Sequence, residues 1–198
     1  WIANIINCEA SRDVIYQLSK HSDVETIIYN KMEYMLFDEK AQEAEPVRGA
    51  TWSVTKVNAD DVWALGYTGK GVTVAVLDTG VNTDHVDLKD HLWDGGSEYP
   101  NHGYNTMDNN NNVSDKDGHG THVAGTIAAV NGNGIGVCGV AGGNWAAGQA
   151  GVKIMSCQIF DDMYASTVAM EAKAVKYAAD NGAVILQCSW GYNSALAN

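Results

Sequence analysis

The chain has 198 residues, 45% of them hydrophobic and 18% charged, with 24 acidic against 12 basic side chains and a net charge of −12. That composition belongs to a folded globular chain long enough to bury one core, and it excludes extensive disorder. The acidic excess speaks against nucleic acid or anionic lipid as a partner, and no apolar run approaches the length needed to span a bilayer.

The chain opens on Trp1, with no charged leader or apolar signal segment before it, so it reads as a processed or cut piece whose N-terminal address is not visible. Residues 2–8 have a strand-like pattern. Ser11 is a plausible N-cap for a short helix with Val14, Ile15 and Leu18 on its apolar face, and residues 24–29 form a second strand pattern extending toward Leu36. The polar run 38–45, ending at Pro46, is the best linker in the chain. The expected division is therefore a small α+β unit over 1–45 and a larger unit over 46–198. A strand, helix and strand this short cannot close a core without a partner.

Past the linker the pattern becomes α/β. A glycine turn at 66–71 leads into 72–77, a continuous apolar run of the kind expected for a parallel strand buried on both faces, ending at Asp78. Residues 84–117 are loop-like. Their Asn-rich run at 108–112 has oxygen donors for calcium but lacks the spacing of an EF-hand loop. Val123, Ile127 and Val130 fall at helical spacing, and Gly120, Ala124, Gly125, Ala128 and Ala129 keep that helix thin enough to lie close to a sheet. After a glycine-rich loop at 131–137 come a strand at 152–159, a helix at 166–181 with Val168, Ala172, Val175 and Ala179 inward, Gly182 as its stop, and a strand at 184–189. Strands alternating with helices predict a doubly wound parallel sheet.

Sites in such sheets are built at the carboxyl ends of strands, which makes Asp78 better placed for function than other acids. His119 stands at the start of the thin helix. The helix dipole biases an imidazole there toward its neutral form, whereas a buried carboxylate on its far nitrogen would oppose that bias and fix the tautomer. Asp78 is the expected partner, against a purely structural histidine as the alternative. A zinc site on His119 and His122 is disfavoured by their spacing of three with no Glu between them. The glycines at 132–136 follow a helix, whereas a dinucleotide fingerprint places them between a strand and a helix. Cys8, Cys138, Cys157 and Cys188 form no C-x-x-C pair, and Cys157 and Cys188 read as small buried hydrophobes.

The segments Val74-Ala75-Val76-Leu77-Asp78-Thr79-Gly80-Val81 and His119-Gly120-Thr121-His122-Val123-Ala124-Gly125-Thr126 resemble the Asp and His motifs of the subtilisin-like serine proteases, the subtilases. The resemblance implies an incomplete subtilisin-like α/β domain that hydrolyses peptide bonds. In it Asp78 would orient and His119 would act as general base and then acid. Ser189, Trp190 and Gly191 are similar to the edge segment that lines the pocket for the residue before the scissile bond. Asp87 and Asn133, with carbonyls of the 131–137 loop, resemble the family's tight calcium site, with Asn131 as the alternative ligand because the loop is a residue longer than usual.

The same resemblance casts residues 1 to about 40 as the second half of an inhibitory propeptide. It implies a zymogen-like, secreted or cell-surface protein with polypeptide substrates, its own propeptide and the missing C-terminal half of the domain as partners. No Gly-Thr-Ser-Met-Ala nucleophile motif occurs, and Ser53, Ser156, Ser166 and Ser194 do not carry it. These residues alone are therefore expected to be inactive, as a truncated protease or, alternatively, a non-catalytic peptide-binding or structural half-domain.

Overall fold

The computed structural model describes residues 6–30, 33–34, 51–161 and 165–191, with residues 33–34 described in backbone only. In chain order the elements are α1 (Arg12–Leu18), β1 (Glu33–Tyr34), α2 (Trp52–Lys56), α3 (Ala59–Ala64), β2 (Thr73–Asp78), β3 (Gly103–Asn105), α4 (His119–Ala128), β4 (Lys153–Gln158), β5 (Ala165–Ser166), α5 (Val168–Asp180) and β6 (Ile185–Gln187). A 3-10 turn lies at Lys89–His91.

The main sheet has the order β3-β4-β2-β6 with all pairings parallel. β2 is central because its side chains are apolar on both faces, so neither face can be left to water. Val74 and Val76 join Ile154 of β4 and meet Ala124 and Ala128 of α4. Ala75 and Leu77, on the alternate positions, join Met155 and Cys157 of β4 and meet Ala174 and Ala178 of α5. The two helices therefore cover opposite faces, and the sheet is doubly wound as the strand and helix alternation predicts.

α4 lies close to the sheet because its inner face is Gly120, Ala124 and Ala128. A Cβ on Gly120 would stand 2.1 Å from the Gly80 carbonyl oxygen, so only glycine permits that approach. Val130, expected within the helical stripe, falls past the helix end but is still buried. α5 is capped by Thr167, whose side chain accepts from the Met170 N–H at 3.2 Å, and it stops before Gly182 at φ +84°. Its inner face matches the expected one only in part: Val175 packs against the core as expected, but the fully buried residues are Ala174 and Ala178, while Val168 is 41% exposed and Ala179 lies outward. Alanines alternate so closely along this helix that side-chain size does not distinguish two possible stripes, and the sheet chooses between them.

β3 falls inside the segment expected to be loop. It is three residues long, and a Cβ on Gly103 would lie 1.8 Å from the Ser156 carbonyl oxygen, so the strand exists by virtue of a glycine that apolar alternation does not register. α2 and α3 are likewise short helices that periodicity did not reveal.

In the N-terminal unit Ser11 caps α1, accepting from the Val14 N–H at 3.4 Å. Val14, Ile15 and Leu18 nevertheless remain 39–48% exposed. The strand expected at 24–29 carries no ladder pairing, and neither do residues 6–8 of the expected first strand. β-branched residues favour a strand only where a partner strand stands beside them. The rest of that first strand and the linker at 38–46 lie outside the described residues. β1 pairs antiparallel with β5, Glu33 opposite Ser166 and Tyr34 opposite Ala165, which lays this unit across the connection from β4 to α5.

Gly103→Ala is expected to force β3 from β4 and to destabilise the fold by about 1–3 kcal/mol, the usual cost of overpacking. A lowered urea midpoint with unchanged slope is the expected reading.

Candidate active site

All four strands of the main sheet point their carboxyl ends to the same side. β2 ends on Asp78, β3 on Asn105 and β4 on Gln158, and the segment after β6 carries Ser189, Trp190 and Gly191. These ends are polar: Asn105 donates to the Gln158 side-chain oxygen at 3.0 Å, and Gln158 donates to the Thr79 carbonyl at 2.9 Å. A hollow of about 250 Å³ opens there beside Thr79 and Asp117.

Asp78 is fully buried. Its Oδ1 accepts from the Thr79 N–H at 2.8 Å and from His119 Nδ1 at 2.7 Å. The acceptor on Nδ1 is a carboxylate, so Nδ1 carries the proton in the neutral ring and Nε2 carries the lone pair. The second oxygen, Oδ2, is buried and has no hydrogen-bond partner among the described residues.

Burial of His119 pushes its pKa down, but the hydrogen bond and charge of Asp78, with Asp117 and Asp115 nearby, outweigh that effect and leave it above the ordinary histidine value. The site consequently has an imidazole of fixed tautomer and enhanced basicity beside the sheet's carboxyl edge, the arrangement of a general base. His122, the other histidine of the motif, lies exposed on α4.

The segment after β6 is tied to the same place. Trp190 donates its indole N–H to the Leu77 carbonyl at 2.8 Å and meets the Phe160 ring edge to face at 5.7 Å. Ser189 Oγ accepts from the Gln187 amide at 2.8 Å, and none of the described residues stands within 4 Å of where a Cβ on Gly191 would be. Trp190 is therefore an apolar surface seated on the core, and Gly191 leaves the adjacent backbone open.

Asp87 and Asn133 also come together. Asp87 is 1% exposed, its Oδ1 accepts from the Asn133 side-chain amide at 2.6 Å, and its Oδ2 lies 2.4 Å from where a Cβ on Gly136 would be. Asn131 does not join them through its side chain, which donates to the Gly139 carbonyl at 2.9 Å. Asp87 makes no ion pair among the described residues, and a buried, unpaired carboxylate cupped by a glycine-rich loop suits a hard cation with oxygen ligands. Among the described residues no cluster of three or more His, Cys, Asp or Glu could hold a metal, so further donors would be carbonyls and water.

Of the cysteines, Cys157 is buried as expected, its thiol pKa pushed far up by burial, whereas Cys188 and Cys8 are exposed. Cys188 sits just past the end of β6, the last strand in the described sheet order, none of whose residues is buried.

Motif reading passed over two residues. Asp115 Oδ1 accepts from Thr79 Oγ1 at 2.9 Å, from the Gly118 N–H at 2.9 Å and from the Asp117 N–H at 3.1 Å; its Oδ2 accepts from the Thr121 N–H at 2.9 Å and from the Thr121 hydroxyl. Thr79 Oγ1 in turn accepts from the Gly120 N–H at 3.0 Å. The available signal was an Asp closely preceding a helix start, where side-chain oxygens commonly take backbone N–H groups.

Residues 69–198 match the model of the Subtilase family. The chain is 34% identical over 159 residues to alkaline elastase YaB of Bacillus sp. (strain YaB), covering 80% of this chain and 37% of that protein. It is 36% identical over 146 residues to subtilisin Savinase of Lederbergia lenta, covering 74% of this chain and 47% of the relative. With the major intracellular serine protease of Bacillus subtilis (strain 168) it shares 48% identity over 85 residues, 43% of this chain and 25% of the relative. The chain thus spans less than half the length of each of these relatives.

A histidine whose folded pKa is raised stabilises the fold fully below its unfolded pKa, and that contribution is lost as pH rises through the folded value. NMR titration of His119 is expected to show a midpoint above that of free histidine, and Asp78→Asn to bring it down. The stability gap between the two proteins should be widest in acid and narrow as pH rises through the midpoint of His119.

Proposed function

The chain belongs to the subtilase family, and from that premise we propose that the protein it represents is a serine endopeptidase in which Asp78 orients His119 and His119 moves the proton. The observation that carries this reading is the 2.7 Å hydrogen bond between His119 Nδ1 and the buried Asp78 carboxylate. In the proposed cycle Nε2 takes the proton of the nucleophilic serine as it attacks the peptide carbonyl. The imidazolium that forms is stabilised by Asp78, and it returns the proton to the leaving amine. The serine and the donors to the oxyanion come from sequence other than these 198 residues. We therefore infer that these residues alone do not cleave peptides.

Polypeptide substrates would be held as an added strand against the backbone at Ser189, Trp190 and Gly191, with main-chain hydrogen bonds supplying affinity. The open backbone at Gly191 and the anchoring of Trp190 on Leu77 support that role. Residues 1–45 fit the remnant of an inhibitory propeptide, with 46–198 as the catalytic portion. The pairing of β1 with β5 supports this division, because it attaches the first unit to the second through a short ladder. A secreted or cell-surface zymogen follows from the same reading. Calcium is proposed at Asp87 and Asn133 with loop carbonyls; there it would neutralise a buried carboxylate and brace the 131–137 loop.

Loss of a general base typically costs about 10²–10⁴-fold. His119→Ala in the full-length protein is expected to lower kcat at least that far while circular dichroism stays unchanged. Peptide hydrolysis at the parent rate in that variant would refute the assignment. For the ion, calcium added to chelator-treated protein should raise Tm, with about 2.7 kcal/mol of stabilisation at a hundred times Kd. Asp87→Asn should abolish the rise; a melting curve indifferent to calcium in the parent would remove the ion from this reading.

A further inference from the structure

We propose that Asp115 is a positioning residue for the Asp78 and His119 pair, acting through the hydroxyl of Thr79. The pair joins two segments 41 residues apart in the chain, one leaving β2 and the other entering α4. A hydrogen bond of 2.7 Å does not survive a slip of one segment against the other by much more than half an ångström. The fully buried face of α4 is Gly120, Ala124 and Ala128, small residues that resist such a slip poorly, with the partly buried Val123 and Ile127 beside it.

Asp115 supplies the missing constraint. Its carboxylate takes N–H groups from Gly118 and Thr121, close on either side of His119, and the hydroxyl of Thr79, the residue directly after Asp78. Thr79 closes the circuit by accepting from Gly120 N–H at 3.0 Å, so both chain neighbours of His119 are bonded to this unit. The two segments are clasped again where the Asn82 N–H donates to Thr121 Oγ1 at 2.9 Å and the Val81 N–H donates to the Val113 carbonyl at 3.0 Å. Little slack remains, since a Cβ on Gly80 would stand 2.5 Å from the Val113 oxygen.

The chemistry requires an acid. All five groups that meet Asp115 are donors, three backbone N–H groups and two hydroxyls, and an ionised carboxylate offers only acceptors. An asparagine would turn an NH₂ toward donors at one of its two ends. A residue that merely capped α4 would have no need of Thr79, whereas the Thr79 hydroxyl bonds this carboxylate directly to the residue after Asp78.

The kinetic part of the test rests on the endopeptidase reading; the spectroscopic part does not. In the full-length protein, Thr79→Val removes the link, and with it the acceptor of the Gly120 N–H, while leaving the bonds from the Gly118 and Thr121 N–H groups to Asp115; Thr79→Ser keeps the link, and Asp115→Asn disturbs both sets. Misplacement of catalytic groups by about 1 Å can cost about 10²-fold. Thr79→Val and Asp115→Asn are accordingly expected to lower kcat by about 10-fold to 10²-fold with KM nearly unchanged, and Thr79→Ser to retain it. Both losing variants should weaken or shift the low-field proton resonance of His119 Nδ1. The double variant should be no worse than the worse single, because both changes cut one connection. A folded Thr79→Val protein with parental kcat and an unmoved His119 resonance overturns the proposal, as do losses that multiply in the double variant. Should the parent not hydrolyse peptides at all, the endopeptidase reading fails, and the His119 resonance in Thr79→Val still decides the positioning role.

Discussion

Asp78 places a full negative charge where no water reaches it, and a charge in that position destabilises the fold unless donors are brought to it. Two are: the N–H of the next residue and the imidazole of His119, both on one oxygen. The second donor comes from a distant part of the chain, so the histidine's helix must enter right against the end of β2. That need explains the glycine at position 120, where a Cβ would strike the Gly80 carbonyl, and the alanines that let α4 lie low on the sheet. The composition of the helix follows from the carboxylate it has to reach.

The surrounding loops meet the same demand with backbone groups. In a chain with twice as many acids as bases, Asp115 is met by N–H and hydroxyl donors and one oxygen of Asp87 by the Asn133 amide, with no lysine or arginine bonded to either among the described residues. The three N–H donors to Asp115 are fixed by the backbone, so they orient that carboxylate and are oriented by it. This suits a site in which an imidazole must stay in one tautomer. The negative field from Asp78, Asp117 and Asp115 also raises the basicity of His119 against its burial.

The N-terminal unit depends on the rest in a different way. Its helix is properly capped, but its apolar face stays exposed, and its one described strand pairs with β5 of the larger unit. Local signals suffice to start a helix of seven residues, whereas burial of its apolar face requires a surface that the described residues do not supply. The larger unit, with two faces of one sheet covered by two helices, has that surface within itself.

Much of this was legible in the order of residues. The apolar run ending at Asp78, the thin helix beginning at His119 and the β4 run all carry strong local periodicity, and they place acid and imidazole at one edge of a parallel sheet before any contact is known. Glycine did the opposite service at Gly103, hiding a strand that exists because a backbone approaches too closely for any side chain. The expected strand at 24–29 did not form, since strand propensity is realised only beside a partner, and the inner face of α5 shifted, since its alanines define no unique stripe. The sequence by itself determined which segments are apolar on one face, on two or on none. Only the tertiary structure decided which donors converge on each buried carboxylate, because hydrogen bonds such as those to Asp115 join segments whose separation in the chain carries no record of their distance in space.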